Sequence, residues 1–437
     1  VNRQSPYASV AVWGAGKSGW AVAQLFAECG ARVTLYDDRD AADFARADVD
    51  DVHLKGGGLT FQDEELVVLS PGIPPHSEAI QTLLDSKKAF MSEVEAALLF
   101  TDTPVIAVTG TDGKSTTSAM LDHVLQSSGY ESVVCGNFGI PVCEIIRQRR
   151  QLDYLVIEIS AFQLWSTHSF EPKVAVLTNI AEDHLSYFEH SFEAYQNAKL
   201  RIFRDMKAGA VVMRSDLAIQ FSDLVDPNVE VLTFDVHDSA VDWYLDGEHL
   251  TNRKRFLMNR SLLRVAGRHN VANALTTAAA LSTLGLSAKD IAKGLASFVG
   301  LAHRMEFVRV LDEVSYYNDS KATNPHAAMS GLGAMDGPLI VIAGGFDKGL
   351  DLQEFATVLS RSRYVLLTGP AGESLAGLLD SSCRFEVVGS LEDAVRRAAR
   401  VSQRGDTVVL APGSSSFDAF KSFEHRGDVF KRAVHAL

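Results

Sequence analysis

The stretch Val105-Ile106-Ala107-Val108-Thr109-Gly110-Thr111-Asp112-Gly113-Lys114-Ser115-Thr116-Thr117 is an apolar run that feeds a glycine-punctuated turn and ends in a cation followed by hydroxyls. It predicts a strand that delivers a phosphate-gripping loop to the start of a helix. Gly110 and Gly113 let backbone N–H groups converge on a polyphosphate, Lys114 adds a point charge, and the Ser115 hydroxyl can ligate Mg²⁺. The usual loop carries four residues between its first glycine and the Gly-Lys pair. Here only Thr111 and Asp112 precede Gly113, so the loop is a shortened variant. An ordinary strand-to-helix turn is the competing reading of this segment alone.

Upstream, Ser9 to Trp13 reads as a strand, followed by Gly14-Ala15-Gly16-Lys17-Ser18-Gly19, a helical stretch from Trp20 to Cys29, and a strand from Ala31 to Tyr36 ending at Asp37. This is a βαβ unit with a full G-x-G-x-x-G match, which by itself suggests dinucleotide binding with Asp37 on a ribose hydroxyl. A further strand, Leu66 to Leu69, stops at Ser70-Pro71-Gly72-Ile73-Pro74-Pro75, where proline forbids continuation. A linker helix over Glu93 to Phe100 is expected before the phosphate-loop unit, whose helix should run from Ser115 to about Ser127.

Downstream, strands are expected at Tyr154 to Ile159, Val174 to Thr178 and Ala210 to Met213, with a helix over Phe192 to Phe203. The polar alternation from Val229 to Arg255 reads as a small antiparallel excursion. After Arg304 come buried-strand runs at Leu339 to Ala343, Tyr364 to Leu367 and Thr407 to Leu410, each ending in a loop signal, with a helical period over Leu391 to Val401. The coarse result is α/β: three units in series, a Rossmann-like N-terminal one, a central phosphate-loop one with a parallel sheet, and a Rossmann-like C-terminal one. We set their bounds at 1–94, 95–302 and 303–437.

Several post-strand residues can carry chemistry. Glu158 ends an apolar strand and is the acid that would hold a metal opposite the loop hydroxyl, and Ser160 and Gln163 can bond a ligand along the same loop. Asn179, Asp183 and His184 follow another strand, and His184 can ligate a metal as neutral imidazole. Lys199 sits in an otherwise apolar helix, where the plain reading is a snorkelling surface lysine. Asn270 and Asn273 share one helix face and could read an adenine edge, or serve as cap and surface residues. Arg304 stands where a cation can reach phosphate. The loops Asn318 to Asn324, Gly344 to Gly349 and Ser414 to Phe423 are polar and cation-bearing, which suits a small anionic substrate.

The 437 residues exceed one ordinary core, and 46% hydrophobic content fits a globular protein. A formal net charge of −14 argues against nucleic acid as a partner. Cys29, Cys135, Cys143 and Cys383 show no metal-type spacing and read as reduced thiols. No stretch approaches the ~20 apolar residues of a membrane span. We expect a cytoplasmic monomer.

In order along the chain, the Gly110–Thr116 loop, Glu158, Asn179 with Asp183-His184, Ala198-Lys199, His269-Asn270-Val271-Ala272-Asn273 and His303-Arg304 resemble the Mur ligase family, ATP-dependent amide-forming enzymes of peptidoglycan precursor synthesis. The resemblance runs nearly end to end. Asn318-Asp319-Ser320-Lys321-Ala322-Thr323-Asn324 and the closing Ser416-Phe417-Asp418-Ala419-Phe420-Lys421-Ser422-Phe423-Glu424-x-Arg426-Gly427 are most similar to the D-glutamate-adding members, and the Asp-Asn-Pro-Arg motif of diaminopimelate-adding members is absent. Ser186, Ala302 and Phe417 depart from the family's common residues.

The resemblance implies that ATP activates the L-alanyl carboxylate of UDP-N-acetylmuramoyl-L-alanine as an acyl phosphate, which the amine of D-glutamate then attacks. It implies Lys114 on the phosphates, two Mg²⁺ ions held by Ser115, Glu158, His184 and Lys199, and Lys199 carbamylated by CO₂. It further implies UDP contacts at Lys17, Ser18, Asp37, Asp38, Arg39 and Gly72, and muramoyl contacts at Asn137, Ser160 and Gln163. ATP contacts extend over Gly110, Thr111, Asp112, Gly113, Lys114, Ser115, Thr116, Asn270, Asn273, Arg304, Asp319 and Lys321, and D-glutamate falls to Thr323, Lys348, Ser416 and Phe423. The rival readings are a nicotinamide-dependent oxidoreductase, a folylpolyglutamate synthase and a nucleotide-regulated binding protein.

Overall fold

The computed structural model describes residues 3–37, 52–56 as backbone, 63–183, 185–253, 255–265, 267–333, 335, 337–347 and 349–437. Its first sheet holds β1 (Ser9–Trp13), β2 (Arg32–Asp37), β3 (Val52–Gly56), β4 (Leu66–Leu69) and β5 (Ala89–Ser92) in the order β3-β2-β1-β4-β5, all parallel. Every residue of β1 and β4 is buried, as expected of parallel strands covered on both faces. The helix after β1 spans Lys17–Glu28 and buries Trp20, Val22, Leu25 and Phe26. It starts three residues before the expected Trp20, because extended Gly16 is its N-cap and Lys17 and Ser18 already form its first turn.

The second sheet adds β6 (Val105–Thr109), β7 (Ser132–Gly136), β8 (Tyr154–Glu158), β9 (Val174–Leu177), β10 (Ala210–Arg214), β11 (Glu230–Asp235), β12 (Trp243–Asp246), β13 (His249–Asn252) and β14 (Arg255–Asn259). The order is β14-β13-β12-β11-β10-β9-β6-β8-β7. The chain leaves β6 toward β7 and β8 on one side, then returns to β9 on the other, so the carboxyl end of β6 is a topological switch point. The antiparallel excursion expected from Val229 is narrower than that reading. β11 still runs parallel to β10, and antiparallel pairing begins only between β12 and β13.

The third sheet contains β15 (Glu306–Leu311), β16 (Val314–Asn318), β17 (Leu339–Gly344), β18 (Tyr364–Thr368), β19 (Phe385–Val387) and β20 (Thr407–Leu410), ordered β15-β16-β20-β17-β18-β19. Only the edge strand β15 is antiparallel to its neighbour.

Two compact units result. One comprises Val1–Leu262 with His269–Ala296, and the other Leu263–Arg268 with Ser297–Leu437. The first two sheets share one core inside the first unit, in which Phe26 and Val68 meet Phe100, Cys143, Ile157 and Leu177. Phe26 and Phe100 pack edge to face at 5.0 Å between ring centroids. The segment expected as a linker helix is therefore built into this core: it is helical over Glu93–Leu98, with Val94, Ala96 and Ala97 fully buried. Among the described residues no helix is long and apolar enough to cross a membrane.

Candidate active site

At the switch point β6 delivers Gly110 into a crowded turn. Gly110 has φ +149, and a Cβ there would stand 1.9 Å from Thr178 Oγ1 and 3.2 Å from the backbone N and O of Asn179. Gly113 is left-handed at φ +79, and its Cβ would stand 2.5 Å from Asn273 Oδ1. Both positions need glycine for conformation and for space. The shortened loop is held from the exit of β9. Thr178 Oγ1 donates to Asp112 O at 2.6 Å, while the Asn179 amide accepts from Asp112 N at 2.9 Å and donates to Asp112 O at 3.1 Å. Thr111 N donates to Asn179 O at 3.0 Å, and Thr111 Oγ1 lies 3.1 Å from Tyr195 Oη. Helix Lys114–Ser127 begins at Gly113 with no side-chain cap. Its first-turn N–H groups carry the partial positive charge that makes a helix start an anion site. Lys114 Nζ donates to Gly110 O and Thr111 O at 2.9 and 2.7 Å.

Glu158, at the end of β8 beside β6, is 2% exposed. Its Oε1 accepts from Asn137 Nδ2 at 2.7 Å, and its Oε2 is buried without a partner among the described residues. The loop after β7 clasps it further: Asn137 N donates to Glu158 O at 2.8 Å, and a Cβ on Gly136 would stand 2.4 Å from that oxygen. A buried carboxylate oxygen lacking a donor costs about 1–3 kcal/mol, and a hard cation relieves that cost. The Glu158 carboxylate and the buried Ser115 hydroxyl are oxygen donors of the kind Mg²⁺ takes. Among the described residues no cluster of three or more His, Cys, Asp or Glu could hold a metal. His184 lies outside the described residues, and its neighbour Asp183 is half-buried.

Lys199 is not a snorkelling surface residue. It is 2% exposed on helix Phe192–Arg204, donates to Gly110 O at 2.6 Å and stands 4.6 Å from the centroid of the Tyr195 ring. Burial first, then the Lys114 cation, pull its ammonium down to about 7 against the attraction of Asp183, Asp112 and Glu158.

The N-terminal glycine loop divides by role. A Cβ on Gly14 would stand 2.7 Å from the Ser70 side chain, and one on Gly19 would stand 1.8 Å from Gly14 O, so these two serve packing. Gly16 and Gly72 face open space. Asp37 Oδ2 accepts from Ala15 N at 2.7 Å and so braces the loop. Lys17 is exposed and reaches Gly139 O at 3.3 Å, Ser18 is half-buried, and Asp38 and Arg39 lie outside the described residues. Ser160 N and Oγ both reach Gln163 Oε1 at 3.0 Å, which pairs the two side chains with each other. Asn273 is likewise engaged: its Oδ1 accepts from Thr117 Oγ1 and its Nδ2 donates to Asn270 Oδ1, each at 3.2 Å. It packs beneath the phosphate loop, with half-buried Asn270 beside it.

In the second unit, Arg304 stands between His303 at φ +62 and Met305 at φ +42. Asp319 Oδ1 accepts from Met305 N at 3.1 Å, and Lys321 N donates to His303 O at 2.9 Å, which fixes this turn. Burial pushes the Asp319 carboxyl up to about 6 against the Met305 N–H and the Arg304 cation. Lys321 Nζ lies 5.8 Å from the centroid of the Phe423 ring. Thr323 is half-buried, Ser416 is 2% exposed, and Lys348 lies outside the described residues.

Four braces were not legible as such: Thr178 and Asn179 under the phosphate loop, Tyr195 beside Lys199, and Tyr187. Tyr187 Oη accepts from Trp165 Nε1 at 3.1 Å and lies 3.0 and 2.5 Å from Pro71 O and Ile73 O, tying the proline loop of the first sheet to the segment after His184. The available signal was position: Thr178 and Asn179 follow the strand that flanks β6 at the switch point.

Three family models match the chain: the Mur ligase MurD-like N-terminal domain over residues 8–91, the Mur ligase middle domain over 108–281, and the Mur ligase glutamate ligase domain over 303–414. The first of these disfavours the nicotinamide reading of the Gly14–Gly19 loop. The UDP-N-acetylmuramoylalanine–D-glutamate ligase of Salinibacter ruber is 36% identical over 98% of this chain and 97% of its own length. That of Chloroherpeton thalassium is 34% identical over 98% of each. In fold, the chain is similar to the MurF ligase of Thermotoga maritima solved in complex with ADP, with a TM-score of 0.58, 18% identity, and coverage of 99% of this chain and 96% of that one. Matched along nearly its whole length by these relatives and by all three domain models, the chain belongs to the Mur ligase family.

Proposed function

We propose that the protein is an ATP-dependent ligase of peptidoglycan precursor synthesis that joins the L-alanyl carboxylate of UDP-N-acetylmuramoyl-L-alanine to the amine of D-glutamate. The observation that carries this reading is the end-to-end similarity to ligases named for that reaction. We take 1–94, 95–302 and 303–437 as the parts serving UDP, ATP and amino acid respectively.

The phosphates of ATP would lie against the uncapped first turn of helix Lys114–Ser127, and Lys114 would exchange two backbone carbonyls for phosphate oxygens. Ser115 and Glu158 would hold one Mg²⁺ and His184 and Lys199 a second; bound there, the ions neutralise phosphate charge. The unpartnered Glu158 Oε2 supports the first of these sites. An amine held near pH 7 is neutral in a substantial fraction of molecules at neutral pH. Its lone pair can add to the carbon of CO₂ with loss of a proton, and Lys199 then carries an anionic carbamate in place of a cation. Asn137 would orient Glu158, and Asn179 and Thr178 would keep the loop in its shortened form.

With these groups in place, a substrate carboxylate oxygen attacks the γ-phosphorus and ADP leaves. The amine of D-glutamate then attacks the acyl carbon, inorganic phosphate leaves and the amine loses a proton. Positioning and charge neutralisation are what the protein supplies. UDP would be met at Lys17, Ser18, Asp37, Asp38, Arg39 and Gly72, the muramoyl part at Asn137, Ser160 and Gln163, and ATP additionally at Asn270, Asn273, Arg304, Asp319 and Lys321. D-Glutamate would be met at Thr323, Lys348, Ser416 and the backbone of Phe423.

The test is phosphate release from ATP in the presence of UDP-N-acetylmuramoyl-L-alanine across a panel of amino acids. Release that requires D-glutamate is expected. Release with no such requirement refutes the assignment.

A further inference from the structure

Arg426 is a buried cation for which the mechanism above has no use. It lies on helix Phe423–His435 and is 3% exposed. A buried arginine is ordinarily paired with a carboxylate, because an uncompensated charge in the interior is costly. Here, among the described residues, no carboxylate lies within ion-pair distance of it. Its donors go to neutral oxygens: Nε to Ser320 Oγ at 3.0 Å, Nη2 to Ser320 O at 2.9 Å and Ser414 O at 3.0 Å, and Nη1 to Ser415 O at 3.1 Å. Burial pulls the guanidinium down to about 10, and the acid that opposes this is the exposed Asp418.

Two further observations lie around this cation. The hydroxyls of Ser414 and Ser415 are buried and, among the described residues, have no hydrogen-bond partner. Gly345, at φ +134, leaves no room beside them: a Cβ there would stand 2.5 Å from Ser415 O, 2.7 Å from Ser414 Oγ and 3.1 Å from Arg426 Nη1. The guanidinium thus pins together the loops that follow β16 and β20, adjacent strands of one sheet, and Phe346 N ties the loop after β17 to the same Ser415 O at 3.0 Å. Ser320 Oγ also donates to Phe423 O at 2.7 Å. Peptide planarity gives this arrangement a direction. The N–H of Ser415 faces Phe346 in an antiparallel bridge, while drawing the Ser415 carbonyl onto the cation turns the N–H of Ser416 the opposite way. A backbone N–H so turned, backed by a buried positive charge, suits an anion.

We propose that Arg426 is a positioning residue for the acceptor amino acid: it sets the Ser414–Ser416 loop in the form that receives an acceptor carboxylate and supplies the buried charge which that carboxylate neutralises. The inference rests on the reading above that the acceptor meets Thr323, Ser416 and Phe423.

The experiment uses the full chain. The wild-type protein is first assayed for phosphate release with acidic and uncharged amino acids, and then Arg426→Met and Arg426→Lys are compared with it on the acceptor it uses. Arg426→Met should raise the acceptor KM at least thirtyfold. The KM values for ATP and the UDP-linked substrate should stay within twofold, as should acyl phosphate trapped by borohydride in the absence of any acceptor. Arg426→Lys, which keeps the charge and loses the fork, should recover part of the acceptor KM. An unchanged acceptor KM in Arg426→Met, or a parallel loss in all three KM values and in trapping, overturns the inference, since the latter is what a merely structural arginine produces. If neither variant folds, hydrogen exchange on the wild-type protein decides. Amides of residues 414–427 should gain protection when the acceptor is added to the ADP-bound protein, and no gain overturns the proposal. A wild-type protein that uses an acidic acceptor other than D-glutamate refutes the D-glutamate assignment while leaving Arg426 testable on that acid. Use of uncharged acceptors alone overturns both.

Discussion

Glu93→Gln tests whether the joint between the first two sheets contains a buried carboxyl held mainly in its neutral form. Glu93 is 1% exposed; its Oε1 accepts from Cys143 N at 2.8 Å, and its Oε2 is buried without a partner among the described residues. Burial pushes its carboxyl from 4.5 up to about 7, only partly opposed by the backbone bonds of Cys143 and Val142. The folded protein therefore keeps this proton up to about pH 7, whereas the unfolded chain releases it near pH 4.5. Between those values the folded state binds more protons, so wild-type stability falls as pH rises through the window. At about 1.4 kcal/mol per unit, the cost is about 3 kcal/mol at pH 8.5 and under about 1 kcal/mol at pH 5. Glutamine keeps the acceptor for Cys143 N and mimics the neutral acid, so Glu93→Gln should stabilise the first unit by about 2–3 kcal/mol more at pH 8.5 than at pH 5. Trp13, Trp20, Trp165 and Trp243, all the tryptophans of the chain, lie in that unit, so their fluorescence in urea follows it selectively. Equal effects of the substitution at the two pH values, or destabilisation at pH 8.5, would refute the reasoning.

Gly110→Ala places a Cβ 1.9 Å from Thr178 Oγ1 at a positive φ; phosphate release should fall by about a hundredfold, the scale of a ~1 Å displacement of reacting groups, and unchanged turnover would sink the account of the loop. Asn179→Ala releases Asp112 N and leaves Asp112 O to Thr178 Oγ1 alone and should raise the KM for ATP roughly tenfold, about one lost hydrogen bond, with Asn179→Asp failing to restore it fully because a carboxylate cannot donate to Asp112 O. Because the Lys199 amine loses its proton near pH 7, the neutral amine grows about fivefold from pH 6 to 7 and about tenfold from pH 6 to 8, and activity at fixed dissolved CO₂ should rise by at least as much. Lys199→Ala should be inactive, and ¹³CO₂ should yield a carbamate resonance in the wild-type protein only; a flat profile with no resonance contradicts the carbamate. Tyr187→Phe removes the hydroxyl that joins Trp165 to the proline loop and should raise the KM for the UDP-linked substrate about fivefold while sparing that for ATP, whereas equal shifts in both would mean that the loop is not its target.

Much of this fold is written locally. β1, β6 and β20 read directly because parallel strands covered on both faces become uninterrupted apolar runs, and the glycines at 110 and 113 mark the turn that only they can make. β5, β7 and β19 do not read so easily, since they stand at sheet edges where part of each strand is left exposed or half-buried and the apolar run is broken. The site divides the same way. Lys114 and Glu158 are legible from their places after strands. The engagement of Asn273 with Thr117 is not, since it joins residues 156 positions apart, and no local pattern encodes which amide will close a distant loop. Lys199 shows the limit most clearly, because an amphipathic helix position does not reveal whether the face beneath it is solvent or the floor of a phosphate loop.

The core common to the first two sheets makes the N-terminal sheet a poor cassette. A chimera that took residues 3–92 from another member of the family would have to match Phe100, Cys143 and Ile146 below, and Arg147, which grips Glu28 at 2.6 Å and Gln24 at 2.9 Å. Ser92 meets Thr167 at 2.9 Å, and Glu95 holds the backbone N–H groups of His168 and Ser169 at 2.8 Å each, so the graft boundary itself is anchored downstream. Changes in which nucleotide-linked substrate is held are therefore cheaper in the loops, at Gly16 and Gly72 where an added side chain meets open space, than by exchange of the whole sheet.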